Sequence, residues 1–226
     1  VEAVMHGEAK PSGLRALPIK FFGGLLSIGS GMALGREGPT VQMAAIIGSQ
    51  CGKLFRLKAD EQSLLYTAVA GAGLSIAFNA PLSGIAFSVE EISKKIAIKR
   101  LIISFAAVTS GMVVFRGYFG NSIEFIVGDL LVDSGTSLCF YIIFSVLLSL
   151  IATLYGRTII GALNMADSFG AVSPVIKAAL IGFGIGLLAY YFPHLVGGGD
   201  MQVQSILSGN YFLFPLALIM LVRFFL

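Results

Sequence analysis

The sequence is short of charge. Asp, Glu, Lys and Arg together make up 12% of its 226 residues, about half the share of a soluble domain. Such a chain cannot clothe a water-facing surface, which excludes an ordinary soluble enzyme. Its 56% hydrophobic content excludes a disordered segment as well. Fifteen basic against twelve acidic residues leave a net charge of +3, too small and too scattered for a nucleic-acid reader. Cysteine is scarce: Cys51 and Cys139 stand in apolar stretches without CxxC or metal spacing, and read as packing residues. Two histidines, His6 and His194, are too few for a histidine-based metal site. No Ser/His/Asp or HExxH constellation is present, so an intramembrane hydrolase has no support. The expectation is no enzyme, no metal and no cofactor. The chain opens at Val1 without a signal or targeting segment and stops at Leu226 inside an apolar run. Both ends look cut, and a fragment of a longer protein is expected.

What is present is apolar length. Mean hydropathy is +0.90, and 28 residues are glycine, a residue that membrane helices use more than soluble ones do. The apolar runs are continuous rather than alternating, which argues against an outer-membrane barrel. An all-α polytopic membrane protein follows. A spanning helix needs about 20 apolar residues. Runs 134–156, 178–199 and 201–222 meet that outright. Run 101–115 reaches it if Arg116 snorkels at one end and Lys99 and Arg100 at the other. Runs 21–35 and 38–52 are marginal and are separated by Arg36 and Glu37.

Loop charge gives orientation. Segments 53–61, 92–100 and 157–177 carry Lys53, Arg56, Lys58, Lys94, Lys95, Lys99, Arg100, Arg157 and Lys177. Segment 117–137 carries Glu124, Asp129 and Asp133 beyond Arg116. The first three are expected inside and the last outside. The 28-residue run 62–89 then begins and ends on one side. It must be two short helices or a re-entrant hairpin, broken at Asn79-Ala80-Pro81, where Pro81 removes a donor and restricts Ala80. Broken helices survive at membrane depth only when buried in protein or lining a water-filled cavity, and in transporters they mark binding sites.

The densest chemical signal is Gly29-Ser30-Gly31-Met32-Ala33-Leu34-Gly35-Arg36-Glu37-Gly38-Pro39-Thr40. Pro39 suits the first turn of a helix running to about Phe55. The unpaired N–H groups and positive dipole end of that helix would lie within the bilayer, where an anion is their natural partner. Glu37, immediately before it, can reach back into that position and leave when protonated. An intramembrane acid of this kind is functional by default. The plainer account is that Glu37 caps its own helix and pairs with Arg36.

Gly35-Arg36-Glu37-Gly38-Pro39 resembles the signature of the CLC family of chloride channels and chloride/proton antiporters, prokaryotic type. The resemblance continues through Phe78-Asn79-Ala80-Pro81-Leu82-Ser83-Gly84-Ile85-Ala86-Phe87 and the pair Glu90-Glu91. It implies an inverted-repeat bundle of tilted and broken helices, here partial. Residues 1–118 would be the end of the first repeat, 119–137 an outer connection, and 138–226 the start of the second repeat. The resemblance further implies a homodimer through helices 81–91 and 101–118, in a bacterial inner membrane, carrying chloride and protons.

Residue by residue, Glu37 matches the gating glutamate, and Gly35, Arg36, Glu37, Gly38 and Pro39 the anion-binding segment. Arg36 would support the loop. Glu91 matches the internal proton-transfer glutamate of exchangers, with Glu90 sharing the role. The plainer account of the pair is interfacial charge balancing Lys94 and Lys95. Glu2 falls where exchangers often hold a further acid. The family's upstream GSGIP, its downstream GxFxP and its late tyrosine are absent from the sequence. A passive channel, a fluoride-selective exchanger and a truncated, non-transporting piece are the rival readings. Gly31xxxGly35, Gly48xxxGly52 and Gly182xxxGly186 suit close helix packing. Gly197-Gly198-Gly199-Asp200 lacks a P-loop ending and reads as a turn, His194 reads as a loop histidine, and the Tyr and Phe residues near 190 and 211 fit an interfacial belt.

Overall fold

The computed structural model describes residues 1–5, 8–93, 97–121, 125–127, 136–170, 172–209 and 213–224. Among these, every regular element is helical. His6, Lys94, Lys95, Glu124, Asp129 and Asp133 lie outside the described residues, as do the side chains of Glu2 and Glu91. The chain divides into two compact units. One comprises Val1–Gly29 with Leu34–Phe125, the other Ser30–Ala33 with Ile126–Leu226.

The first unit holds α1 (Glu2–Met5), α2 (Ala16–Gly29), α3 (Glu37–Leu54), α4 (Ala59–Phe78), α5 (Pro81–Phe87), a π-helical turn (Ser88–Ser93) and α6 (Ile98–Phe119). α4 starts where the Glu61 carboxylate accepts the Lys58 N–H at 3.2 Å, with Asp60 and Glu61 in its first turn on the favourable side of the dipole. It stops at Asn79, which takes the left-handed conformation at φ 50°. The Ala80 N–H then folds back onto the Ser75 carbonyl at 3.0 Å, closing the helix end. Pro81 opens α5, where its missing N–H costs nothing. The expected break in run 62–89 is therefore present. Arg116, in the last turn of α6, locks it: Nε and Nη2 both donate to Asn79 Oδ1, at 3.1 and 3.0 Å.

Glycine sets how closely these helices approach. A Cβ at Gly73 would meet the Thr40 carbonyl at 3.0 Å, and one at Gly48 the Leu65 carbonyl at 3.0 Å, so α3 and α4 pack nearly backbone to backbone. Gly52 faces Gln62 in the same interface. The packing reading holds there. Gly182 and Gly186 have nothing within 4 Å. The core of the unit is Val41, Ala45, Tyr66, Ala70 and Ile92, with a second cluster of Ala72, Val108 and Met112 against α6.

The second unit holds α7 (Thr136–Ser168), α8 (Pro174–Tyr191), a short 3-10 turn (Pro193–Leu195), α9 (Asp200–Leu207) and α10 (Leu213–Phe224). Three helices among the described residues are long and apolar enough to cross a membrane: Ile98–Phe119, Leu138–Ser168 and Pro174–Tyr191. Two expectations are corrected here. Run 201–222 is not one span, because Gly209 adopts φ +74° after α9 ends, and a left-handed residue terminates a helix. Arg157 is not in a loop but within the 33-residue α7, a place a long side chain tolerates by snorkelling. The loop expected at 157–177 shrinks accordingly. Ser173 caps α8 by accepting the Val175 N–H at 3.3 Å, and Lys177 donates to the Ala166 carbonyl at 2.6 Å. Gly197 is held on both sides. Its N–H donates to the Gly31 carbonyl at 2.8 Å, and its carbonyl accepts from Arg223 Nη2 at 2.6 Å. Gly197 and Gly199 have φ of +82° and +100°, so the glycine run forms a turn as expected.

Candidate anion and proton site

The site is built on the first turn of α3. The helix begins at Glu37, which puts Pro39 in its first turn as expected and makes Glu37 its first residue rather than the one before it. Arg36 stands at the N-cap and makes no side-chain cap bond. Helix geometry leaves the leading N–H groups without intrahelical partners. The Thr40 N–H already donates to the Arg36 carbonyl at 3.2 Å, and Thr40 Oγ1 does so at 2.7 Å. Pro39 has no N–H to offer. Inside the helix, that leaves the amides of Glu37 and Gly38 to face an anion, at the positive end of the dipole.

Glu37 is half-buried, and its carboxylate is turned back over Gly35. A Cβ at Gly35 would collide with Glu37 Oε2 and stand 3.1 Å from Glu37 Cδ. The carboxylate therefore uses the space that the absent side chain of Gly35 leaves. Gly38, on the other side, has nothing within 4 Å of a would-be Cβ. A cavity of about 440 Å³ opens beside the helix end, with Glu37, Gly38, Val41, Leu74, Phe87 and Ile92 among its walls.

The structure thus brings Glu37 and Gly38 to one cavity with Ile92, which belongs to the π-helical turn bearing Glu90 and Glu91. Glu90 is exposed. Glu91 is placed within that turn by its backbone, its side chain lying outside the description. Gly35 and Arg36 are exposed, and Pro39 is partly buried. Sequence reasoning did not anticipate the π-helical turn, the apolar wall of Phe87 and Ile92, or Gly35 as the seat of the carboxylate. For the seat, a signal was available: a glycine two residues before an intramembrane acid. Among the described residues no group of His, Cys, Asp and Glu could hold a metal ion.

Gly35→Ala tests the seat. The obstacle a methyl group would meet is the tip of a flexible side chain, so the carboxylate yields and the fold does not. Thermal unfolding in detergent is expected to be unchanged; a loss of about 1 kcal/mol or more would show that the carboxylate cannot withdraw and is packed in place.

The voltage-gated chloride channel family model matches residues 1–226. The H(+)/Cl(-) exchange transporter ClcA of Vibrio parahaemolyticus is 36% identical over 222 residues, covering 92% of this chain and 46% of that protein. The one from Vibrio vulnificus is 37% identical over 210 residues, covering 87% and 44%. The chain spans about half the length of the curated relatives it matches. Among solved structures, a slow cyanobacterial Cl-/H+ antiporter superposes with a TM-score of 0.80 at 30% identity, over 93% of this chain and 51% of the other. A CLC-type fluoride/proton antiporter gives a TM-score of 0.81 at 18% identity, over 99% and 57%, and so shares the fold.

Proposed function

The chain belongs to the voltage-gated chloride channel family, and from that premise we propose that it supplies the gate and one anion-contacting segment of a chloride/proton antiporter. The observation that carries the proposal is the Glu37 carboxylate, folded over Gly35 at the start of α3 with a cavity open beside it. A carboxylate and a halide compete for the same helix end, since both are stabilised there by the same amides and dipole. Ionised, Glu37 excludes the anion. Protonated, it loses that attraction and swings out, carrying one proton as the anion enters.

Glu91 receives protons from the cytoplasmic side, with Glu90 beside it, and passes them toward Glu37. The cavity walls between the turn and Glu37 are mostly apolar, so a proton crosses there on water rather than on side chains. Whole-protein features follow from the same reading: a homodimer through α5 and α6, chloride and protons as the transported species, residence in a bacterial inner membrane, and no catalytic chemistry or cofactor. Large side chains exposed on those helices, Leu82, Ile102, Phe105 and Val113 among them, suit an apolar interface.

The test is proton movement driven by a chloride gradient, in liposomes containing the product of the complete reading frame. Proton uptake against its own gradient is the expected result. Chloride flux without proton movement would make the protein a passive channel and reduce Glu91 to an interfacial charge. No flux of either ion would leave a non-transporting member of the family.

A further inference from the structure

Two serines in the apolar core of the first unit have no part in the scheme above. Ser88 is 1% exposed and Ser104 2% exposed. Their hydroxyls are hydrogen-bonded at 2.8 Å across 16 residues of chain. With a single proton to give, Ser88 Oγ donates to the Ile85 carbonyl at 2.8 Å and accepts from Ser104 Oγ. Ser88 opens the π-helical turn, and Ser104 lies on α6. We infer that this Ser88–Ser104 contact positions the acidic segment, holding the turn that bears Glu90 and Glu91 in register against α6.

The argument begins with the turn. A π-helical turn closes its hydrogen bonds over five residues and carries about one more residue per turn than an α-helix, an arrangement found mostly as single turns inside α-helices and frequently at functional sites. Rewinding such a turn as an α-helix would shift everything after it by one residue, or about 100° around the axis. Glu90 and the backbone of Glu91 would then be carried round the axis, and Ile92 would leave the wall it shares with Glu37. Apolar packing does not prevent this, because a helix covered by Val, Ile and Phe packs acceptably in several rotations. A hydrogen bond does, since a hydroxyl in an apolar interior is costly without its partner.

Space at position 88 is also restricted. A Cβ at Gly71 would stand 2.8 Å from Ser88 Cβ, so α4 leaves room for a small side chain only. Serine and alanine both fit, and what distinguishes them is the hydroxyl. Ser88→Ala and Ser104→Ala therefore remove the contact with little change in volume.

The consequence for transport rests on the antiporter reading; the positioning itself does not. The experiment uses Ser88→Ala, Ser104→Ala and the double variant, in the product of the complete reading frame. Amide hydrogen exchange of segment 85–93 is followed by mass spectrometry, with α3 as the internal reference. Chloride-driven proton movement is measured on the same samples. Each single variant is expected to speed exchange in 85–93 about five- to tenfold, the scale of one lost buried hydrogen bond, while α3 is unchanged. Protons moved per chloride fall, and chloride flux persists. The double variant is no worse than Ser88→Ala, which already removes both the contact and the bond to the Ile85 carbonyl. Unchanged exchange in both single variants, or losses that add in the double, would overturn the inference. Should the unmodified protein move no protons, the antiporter reading falls, and the exchange data alone decide whether the contact positions the segment.

Discussion

Replacing Glu37 with glutamine is expected to abolish chloride-driven proton movement, a loss of at least about 100-fold to the background of the assay, while chloride continues to cross. Glutamine keeps the length of the side chain and removes what titrates. On the proposed reading no other group takes a proton at the start of α3, so coupling does not weaken by degrees. Chloride flux moves the other way. A carboxylate at a partly buried helix N-terminus is held by up to about 2 kcal/mol, so releasing the site from that competitor increases its availability by up to roughly 30-fold. The plainer reading, in which Glu37 only caps α3, gives a different result: about 1 kcal/mol of stability lost with the coupling ratio intact. Measuring proton and chloride fluxes together with detergent melting separates the two. Proton movement that survives Glu37→Gln undiminished would exclude Glu37 as the gate.

The second large effect concerns the fold. Gly84→Ala is expected to destabilise the first unit by roughly 3 kcal/mol or more, at or above the upper end of what overpacking a core costs. A Cβ at Gly84 would collide with Ser75 Oγ and with the Gly71 carbonyl, and would stand 3.0 Å from Ser75 Cβ. None of these can withdraw. Ser75 is fully buried, and its hydroxyl is already engaged with the Gly71 carbonyl at 3.0 Å, which is itself main chain. Accommodating one methyl group means separating α5 from α4. The helix hairpin is clamped at its turn by Arg116 on Asn79, so separation disturbs α6 too. Gly35→Ala adds the same methyl group and meets only a movable carboxylate, which makes it the natural control. Thermal unfolding and monodispersity in detergent report the difference; a Gly84→Ala protein as stable as the unmodified one would show that α4 and α5 do not touch as described.

The contrast between those two glycines shows what a sequence discloses. Glycines at 35 and 84 look alike in the sequence, yet one leaves room for a side chain and the other for a backbone. The distinction depends on what lies opposite, and that is set by contacts distant along the chain. Local signals carried further. Asn79-Ala80-Pro81 announced the helix break because its causes, a residue tolerant of positive φ and a missing donor, are properties of those residues themselves. The helix start within Gly35–Pro39 was legible for the same reason, since Pro39 lies in the first turn of α3.

Hydropathy was less informative. A continuous apolar run from 201 to 222 conceals the stop at Gly209, because burial preference carries no information about φ. The charge of Arg157 suggests a loop, yet a charge at the end of a long side chain does not stop a helix. The π-helical turn was out of reach, since α and π windings of Ser88–Ser93 expose nearly the same sequence pattern. Ser88 and Ser104, 16 residues apart, carry no mark in the sequence that they meet.

On the proposed reading, the Glu37 carboxylate over Gly35 is an inhibitor supplied with its own target. A competitor tethered by a single side chain is present at its site at an effective concentration of about millimolar or above. A free anion sees the helix end only for the fraction of time that the carboxylate is away, and its apparent affinity is lowered by that fraction. The threshold for transport is thus set by the reach of one side chain as well as by the strength of the anion's own contacts. Acidity lowers that threshold and dilution of chloride leaves it unmet. A protein arranged in this way idles where both ions are scarce and opens where both are plentiful, with no separate sensor for either.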